Sequence, residues 1–226
     1  MVFHLNDVVP WGRSLKEYTQ MFDLTAADLN KKIVSFADGP ASFNAEAKTA
    51  GYDVTSLDIV YQFSAAEIKG RIDETKEIVL EQTRKNAENY NWHEIKDITE
   101  LEKIRMGAME KFLQDYDQGK CEKRYLFHEF PCQTPFAENH FDLGLCSHFL
   151  FLYPGLGYSF HLETLEEMIR ICQEVRVSPL VDLDGTRPEF FQRLMEELGE
   201  RYTVAVCQTD YAFLKSENSY LSIMKS

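Results

Sequence analysis

Two acidic residues, Asp38 and Asp58, follow two short apolar segments and stand 20 positions apart. The first segment, residues 33–37, leads into a turn of small residues, 37–41, and then into a predicted helix. Small residues let the turn backbone approach a ligand closely, and the first N–H groups of the helix are free to bind polar ligand atoms. The second segment, residues 52–57, ends at Asp58, whose carboxylate could accept hydrogen bonds from both hydroxyls of a ribose. The pattern predicts a nucleoside site where two neighbouring strands end.

Strands and helices must alternate along the chain to bring these residues together. Short apolar runs predict strands at residues 33–37, 52–57, 141–146, 175–181, 202–207 and 220–224. A capping residue followed three positions later by Glu predicts helix starts at Ser14, Ser64, Asp97 and Thr186. We therefore expect an α/β fold with a Rossmann-like mixed sheet of about seven strands. The sheet should be mostly parallel with a C-terminal antiparallel hairpin, and a helix should precede it.

The stretch from residue 64 to 124 is longer than an ordinary crossover between parallel strands, which needs only about a dozen residues. It is highly charged, and its apolar residues recur at helical spacing, for example at Leu101, Ile104, Ala108 and Phe112. Two interpretations stay open: a helical hairpin that merely covers the sheet, or a cap over a binding cleft. In either case residues 1–226 are expected to form a single domain with a helical insertion after the second strand.

The composition excludes several classes of protein. Hydrophobic residues make up 44% of the chain and aromatics 13%, which is enough for a buried core and argues against disorder. A formal charge of −13 repels phosphate backbones, so we expect no nucleic-acid partner. We also expect no membrane partner, because no apolar stretch is long enough to span a bilayer, and residues 1–10 lack the pattern of a secretory signal. The five cysteines form no CxxC pair and the histidines lack ligand spacing, which indicates a cytoplasmic protein with reduced thiols and no metal site.

In the order of turn, acid, strand entry and terminal hairpin, the chain resembles the class I S-adenosylmethionine-dependent methyltransferases. It is also similar to an uncharacterised methyltransferase-like subgroup that carries the N-terminal pattern seen here at residues 12–14, Gly-Arg-Ser, and 17–18, Glu-Tyr. Residues 37–41 occupy the place of that family's glycine-rich turn, and residues 57–59 the place of its ribose-binding acid. Residues 135–143 look like the segment that enters strand four, and residues 189–225 like the C-terminal helix and hairpin. The resemblance covers roughly residues 31–225, with the helical insertion unmatched.

This resemblance implies that S-adenosylmethionine is the cofactor and S-adenosylhomocysteine (SAH) the product. The methyl group would pass by direct displacement to a small-molecule or still unidentified acceptor. The residues expected to contact the cofactor are Ala37, Asp38, Gly39 and Pro40 in the turn, Asp58 and Ile59 at the ribose, Phe130 at the adenine, and Arg13 and Tyr18 at the methionine end.

The chain departs from the family pattern at several of these positions. Ala37 and Ala41 replace two of the usual glycines, and Ser35 replaces the acid usual in strand one. Phe130 stands where the family has an acid that contacts adenine, so an aromatic packing contact would replace a hydrogen bond. Tyr18 has two open interpretations, as a core residue or as a side chain that folds over the methionine end together with Arg13. A guanidinium is the preferred partner for the carboxylate at that end.

Ser147 and His148 follow the fourth predicted strand of the family pattern, where acceptor-side residues generally lie. His148 could remove a proton from the acceptor, and Ser147 could hydrogen-bond the acceptor or, through its carbonyl, the donor. The alternative for His148 is a structural role in the loop.

Three functions therefore stay open. The first is a methyltransferase, and the second is a non-catalytic module that binds S-adenosylmethionine. The third is another Rossmann enzyme, either one that uses a nicotinamide cofactor or a haloacid-dehalogenase-like phosphatase. The phosphatase alternative rests on residues 181–186, Val-Asp-Leu-Asp-Gly-Thr, which could also form a turn in which Thr186 caps the next helix.

Overall fold

The computed structural model describes residues 9–215 and 217–225. Residues 1–8, on which most of the expectation about a secretory signal rests, lie outside that range. The strands within it are β1 (Lys32–Phe36), β2 (Asp53–Asp58), β3 (Tyr125–Phe127), β4 (Phe141–Ser147), β5 (Cys172–Ser178), β6 (Thr203–Gln208) and β7 (Ser219–Met224). The α-helices are α1 (Leu15–Met21), α2 (Ala26–Leu29), α3 (Phe43–Ala50), α4 (Ala65–Lys85), α5 (Ile98–Cys121), α6 (Tyr158–Ile171) and α7 (Phe191–Gly199).

The strands form one sheet in the order β3-β2-β1-β4-β5-β7-β6. The first five are parallel to one another, whereas β7 runs antiparallel to both β5 and β6. This arrangement confirms the predicted Rossmann-like sheet with its C-terminal hairpin, its N-terminal helix and its helical insertion after the second strand. The chain order reverses between β1 and β4, and in open α/β sheets ligands bind in the crevice at such a reversal.

Alternate residues of the strands enter different hydrophobic clusters, as expected for a sheet covered on both faces. Ile33 of β1 packs in a cluster with residues of α1 and α3. Its neighbour Val34 packs in a second cluster with residues of α6 and α7. The turn after β1 and the loop after β4 therefore rest on a core that is buried on both sides. Among the described residues, no helix combines the length and apolar character needed to cross a membrane.

Three local predictions differ from the structure. Strand β3, only three residues long, was not among the predicted strands. Strand β5 begins and ends three residues before the predicted run, and it ends at Ser178 because Pro179 has no N–H to continue the ladder. Thr186 does not cap a helix, since α7 begins at Phe191 and its N-cap is Phe190.

The helical insertion consists of α4 and α5, which begin at the predicted caps Ser64 and Asp97. Residues 86–97, the insertion tip, reach the connection between β6 and β7, described at residues 209–215 and 217–218. The Asn91 N–H donates to the Phe213 carbonyl at 2.8 Å, and the Lys215 N–H donates to the Asn89 carbonyl at 3.0 Å. Strand β6 ends at the same edge as the parallel strands, so these contacts place the insertion over that edge. The insertion also packs through α5 against α3 and β3, so it both covers the protein's side and reaches this edge, and its role as a cap over a binding cleft stays a prediction.

Candidate functional site

The turn after β1 presents backbone groups at the C-terminal edge of the sheet. Ala37 and Gly39 have positive φ angles of 50° and 55°. Glycine adopts this conformation without steric cost, whereas it costs an alanine roughly 1–2 kcal/mol. The Ala37 N–H donates to the Leu57 carbonyl at 2.7 Å, which joins the turn to β2. Apart from the two neighbouring residues of the turn, no described residue has an atom within 4 Å of the position a Cβ would take on Gly39, so a ligand could approach the backbone there.

Asp58 lies at the tip of β2 and is bonded to that turn. Its Oδ2 accepts the Gly39 N–H at 2.7 Å, and its Oδ1 accepts the Val60 N–H at 2.7 Å. The residue is only 6% exposed, and burial raises its pKa to about 6 although both hydrogen bonds favour the ionised form. Because a carboxylate has about four acceptor sites, two remain after these bonds.

The Asp38 side chain is directed into the protein rather than to the turn's open side. Its Oδ2 accepts the Ser56 hydroxyl at 2.7 Å, and its Oδ1 lies 2.7 Å from the Tyr61 hydroxyl. Tyr61 is buried, and its hydroxyl oxygen also lies 2.8 Å from the Gly39 carbonyl oxygen. Burial, reinforced by the charge of Asp58, raises the pKa of Asp38 to about 7 against these hydrogen bonds. Because this carboxylate points away from the turn's open side, Asp38 offers a ligand there only its backbone groups.

The N-terminal segment packs directly on the turn at Pro40. A Cβ on Gly12 would lie 2.2 Å from the Pro40 carbonyl oxygen, so only glycine allows this approach. Ile59, on the other side of the site, begins a short 3₁₀ helix after β2 and packs half-buried against the aromatic cluster around Tyr61. Both Pro40 and Ile59 thus lie at the joined ends of β1 and β2, where the sequence placed them.

Arg13 follows Gly12 and carries a guanidinium that is only partly used. Its Nη1 donates to the Trp11 carbonyl at 3.0 Å, while its buried Nε has no hydrogen-bond partner in the described part of the chain. Burial and the nearby charge of Arg105 lower the pKa of Arg13 to about 10, so it stays positively charged at neutral pH. Arg13 thus carries a charged group directly after the contact between Gly12 and Pro40, and its role at the cofactor's carboxylate stays a prediction.

Tyr18 is a core residue. It is 1% exposed, its ring stacks on Phe43 with centroids 4.1 Å apart, and its hydroxyl lies 3.3 Å from the Ser35 Oγ. Of the two interpretations from the sequence, the structure favours packing within the core. Ser35, which stands where the family has an acid, thus provides a hydrogen-bond partner for a buried tyrosine.

Phe130 also lies within the hydrophobic core, 9% exposed. Its ring meets Phe36 of β1 edge-on at 5.8 Å and His128 at 4.5 Å. These contacts place it near the end of β1, and its role at an adenine stays a prediction.

Ser147 and His148 lie where β4 ends. The Ser147 Oγ lies 2.8 Å from the His148 Nδ1 and donates to the Met21 Sδ at 3.6 Å. The His148 backbone has a φ of 55°, and its N–H donates to the Ser178 carbonyl at 2.8 Å. Burial, then the charges of Arg13 and Arg105, lower the pKa of His148 well below its usual range, so the imidazole is neutral at pH 7.

Arg105 and Glu17 join this group, although the sequence did not single out either as a site residue. They form an ion pair in the interior, with Arg105 0% exposed. The Tyr211 hydroxyl lies 3.5 Å from the Glu17 Oε1. Burial by itself would raise the pKa of Glu17, but Arg105 and Arg13 outweigh it and hold the pKa below its usual range. A signal did exist, since Arg105 lies four residues after Leu101 and therefore on the apolar face of α5.

The phosphatase motif has no catalytic arrangement. The Asp182 Oδ1 accepts the N–H groups of Asp184 and Thr186 at 3.0 and 2.9 Å, which makes it the acceptor of a local turn. It lies four residues beyond the end of β5 rather than at the strand tip. Across the described ranges, no group of three or more His, Cys, Asp or Glu residues is placed to hold a metal ion.

Comparison with known proteins gave relatives in sequence and in structure, although no protein-family model matches the chain. The chain is 35% identical to the uncharacterized protein MJ0045 of Methanocaldococcus jannaschii in an alignment 226 residues long that covers 98% of each chain. The PH0226 protein of Pyrococcus horikoshii OT3 has a similar structure, with a TM-score of 0.53, 8% identity and full coverage of both chains. Magnesium protoporphyrin IX methyltransferase from Synechocystis PCC 6803, with bound SAH, gives a TM-score of 0.51 at 11% identity and covers 94% of this chain and 83% of its own.

At these identities the structural likeness shows the fold alone, whereas the sequence relative shows the family. The strand order, the turn after β1 and the acid at the tip of β2 agree with that fold. The chain has the fold of the class I S-adenosylmethionine-dependent methyltransferases, and it belongs to the family of protein MJ0045 of Methanocaldococcus jannaschii.

Proposed function

We propose that this protein is an S-adenosylmethionine-dependent methyltransferase that acts on a small-molecule acceptor. The observation that carries the proposal is the hydrogen bond between Asp58 and the Gly39 N–H, which brings the β2 acid against the turn after β1. This is the arrangement in which a ribose can meet a carboxylate while the rest of the ligand lies against backbone.

The residues at this edge suit such a cofactor. The space beside Gly39 is open to a ligand, and Asp58 keeps two acceptor sites for ribose hydroxyls. The unpartnered Nε of Arg13, within the described residues, is a donor for the methionine carboxylate. Asp58 would thus bind the ribose of the cofactor and Arg13 its carboxylate, while the cofactor lies against the backbone at Gly39.

Bound S-adenosylmethionine would supply a methyl group that is already activated for direct displacement, so the protein needs mainly to align the acceptor and exclude water. In this proposal His148 would receive the acceptor's proton. Because the Ser147 hydroxyl donates to Met21, the His148 Nδ1–H would donate to the Ser147 Oγ. The His148 Nε2 would then keep its lone pair free.

A small acceptor and a cytoplasmic location complete the proposal. The net charge of −13 disfavours a nucleic-acid substrate. All five cysteines are free thiols, as a reducing compartment would keep them.

A second candidate is a module that binds the cofactor without turnover. The low pKa of His148 favours it, because a base works best when its pKa lies near the working pH. Binding without methyl transfer across a broad acceptor panel would support this candidate over the enzyme.

Isothermal titration calorimetry tests the cofactor directly. We expect SAH and S-adenosylmethionine to bind the full chain, and NAD not to bind. Binding of NAD in preference to SAH would exclude both the methyltransferase and the binding module, and would leave a nicotinamide enzyme.

A further inference from the structure

Arg105 is buried in the protein interior, and one edge of its guanidinium makes no hydrogen bond. Its Nη1 donates to Glu17, and its Nε and Nη2 have no hydrogen-bond partner among residues 9–215 and 217–225, although the Tyr211 hydroxyl lies close enough to act on the guanidinium. The residue is 0% exposed. Buried donors of a charged group are costly to leave unpaired, so a free edge at this position requires an explanation.

The two free nitrogens have the geometry of a ligand site. The Nε–H and Nη2–H of a guanidinium point the same way and match the two oxygens of a carboxylate. Glu17 fixes the opposite end of the group through Nη1, so the free edge of Arg105 is held in one orientation rather than left mobile.

The charges around Arg105 also favour the binding of an anion. Arg13 and Arg105 carry two positive charges, and Glu17 is a carboxylate that acts on both. Their sum is +1 before any ligand binds. The proposed cofactor has a net charge of +1, because its sulfonium and ammonium groups outweigh its carboxylate, and Asp58 at its ribose can offset that charge, so the excess at the two arginines remains. A negatively charged acceptor would offset this excess in a site where water is scarce.

Arg105 lies beside the proposed acceptor side. Its guanidinium carbon is 5.9 Å from the centre of the Phe213 ring, and its charge acts on His148. Phe213, Tyr211 and His148 line a cavity of about 20 Å³, roughly the space of one water molecule. The cavity adjoins the contacts between the insertion tip and the β6–β7 connection, so these must part to admit a larger molecule.

We propose that the acceptor carries a carboxylate, which binds side-on to the free Nε and Nη2 of Arg105 and so places the acceptor beside His148. This inference rests on the proposed function, and it leaves Arg13 as the partner of the cofactor's own carboxylate. Arg105 is in this view a residue that determines specificity.

Calorimetry with matched probes tests the inference. Formate, acetate and benzoate are titrated into the full chain against formamide, acetamide and benzamide, with and without saturating SAH. We expect at least one carboxylate to bind 10-fold or more tightly than its amide while SAH is bound. The preference should be lost in Arg105→Met and reduced in Arg105→Lys. Arg176→Lys is the matched control, because Arg176 is also buried but has partners at all three nitrogens.

Each contrary result has a distinct meaning. If SAH does not bind, the proposed function fails, and the titration without SAH still tests the carboxylate site. If SAH binds and no carboxylate is preferred over its amide, the inference is wrong but the proposed function is not affected. If SAH displaces the carboxylate, the Arg105 edge belongs to the cofactor and the inference is wrong. Should Arg105→Met not fold, the Arg105 Nε–H signal in the NMR spectrum of the unmodified protein decides, since it must shift with the carboxylate and not with the amide.

Discussion

Asp58 accepts the backbone N–H of Gly39 at 2.7 Å, so the acid at the tip of β2 holds the turn that follows β1. The same carboxylate also accepts the Val60 N–H. Asp58 therefore has a structural role in addition to the proposed contact with ribose. The sequence predicted the acid's position but treated it as a ligand contact alone.

Asp58→Ala should lower both stability and cofactor affinity. The variant leaves two buried N–H groups without an acceptor, which should reduce the free energy of unfolding by about 2–3 kcal/mol in urea titrations. SAH binding should weaken by roughly 1.5–3 kcal/mol, measured by calorimetry below the unfolding transition. Asp53→Ala, at the exposed start of β2, is the control and should change neither quantity by more than about 0.5 kcal/mol. Unchanged SAH affinity in Asp58→Ala would remove the ribose assignment.

Gly12→Ala should displace the N-terminal segment from the turn. The added Cβ would lie 2.2 Å from the Pro40 carbonyl oxygen, which is backbone and cannot rotate away. We expect a loss of about 1–3 kcal/mol in the free energy of unfolding. Gly70→Ala in α4 is the matched control, because no described atom lies within 4 Å of its added Cβ, and it should gain about 1 kcal/mol. Equal effects of the two substitutions would contradict the close approach at Gly12.

Ala37→Gly should be neutral or stabilise the protein by up to about 1 kcal/mol. Glycine relieves the positive φ of 50°, although it also increases the entropy of the unfolded chain. Ala45→Gly in α3, where the backbone is helical, should instead cost about 1 kcal/mol. Thermal and urea unfolding of the two variants gives the comparison, and a clear loss of stability in Ala37→Gly would show that its methyl group makes a packing contact that outweighs the backbone strain.

The stability of the protein should fall as the pH rises from about 4 to 7 through the contribution of two buried carboxyls. Folding raises the pKa of Asp38 to about 7 and that of Asp58 to about 6, above the value of about 3.9 expected for an unfolded Asp. In this window the folded state binds more protons than the unfolded state, so the free energy of unfolding decreases with pH. Asp38→Asn has no such proton and should lose less stability over the same range. Parallel pH profiles for the two proteins would show that Asp38 ionises normally.

His148→Ala should lower methyl transfer about 100-fold or more while leaving SAH affinity nearly unchanged. The residue's neutral imidazole receives a proton in the proposed reaction but does not hold the cofactor. His140→Ala, on the exposed surface before β4, is the control and should keep full turnover. Transfer from labelled S-adenosylmethionine to a carboxylate acceptor is the measurement. Full activity in His148→Ala would assign His148 a structural role, for which its left-handed backbone and its bond to Ser178 already provide a basis.

The sequence was sufficient for the fold because its signals are local. The turn at 37–41 and the acid Asp58 each follow an apolar strand directly, and parallel strands end at one edge of a sheet. Helix starts at Ser64 and Asp97 carry the capping residues that fix them in the structure. Strand β3 escaped prediction because three residues are too few to show an alternating pattern.

The candidate site was harder to predict because burial depends on distant residues. Nothing local to Tyr18 shows that Phe43 will stack on it, and Phe130 becomes a core residue only once Phe36 packs against it. Arg105 and Glu17 are 88 residues apart in the chain, and they come into contact only when the fold brings α5 next to α1. The sequence thus predicted where the backbone of the site lies, but it did not predict which charged residues are buried there.

The contact between the insertion tip and the β6–β7 connection makes each segment depend on the length of the other. Two backbone hydrogen bonds, at Asn91 and Lys215, join segments that are more than a hundred residues apart in the chain. A deletion in one segment would leave the other without its partner. Related sequences should therefore lengthen or shorten the two segments together, and a relative that has lost one should have an open crevice.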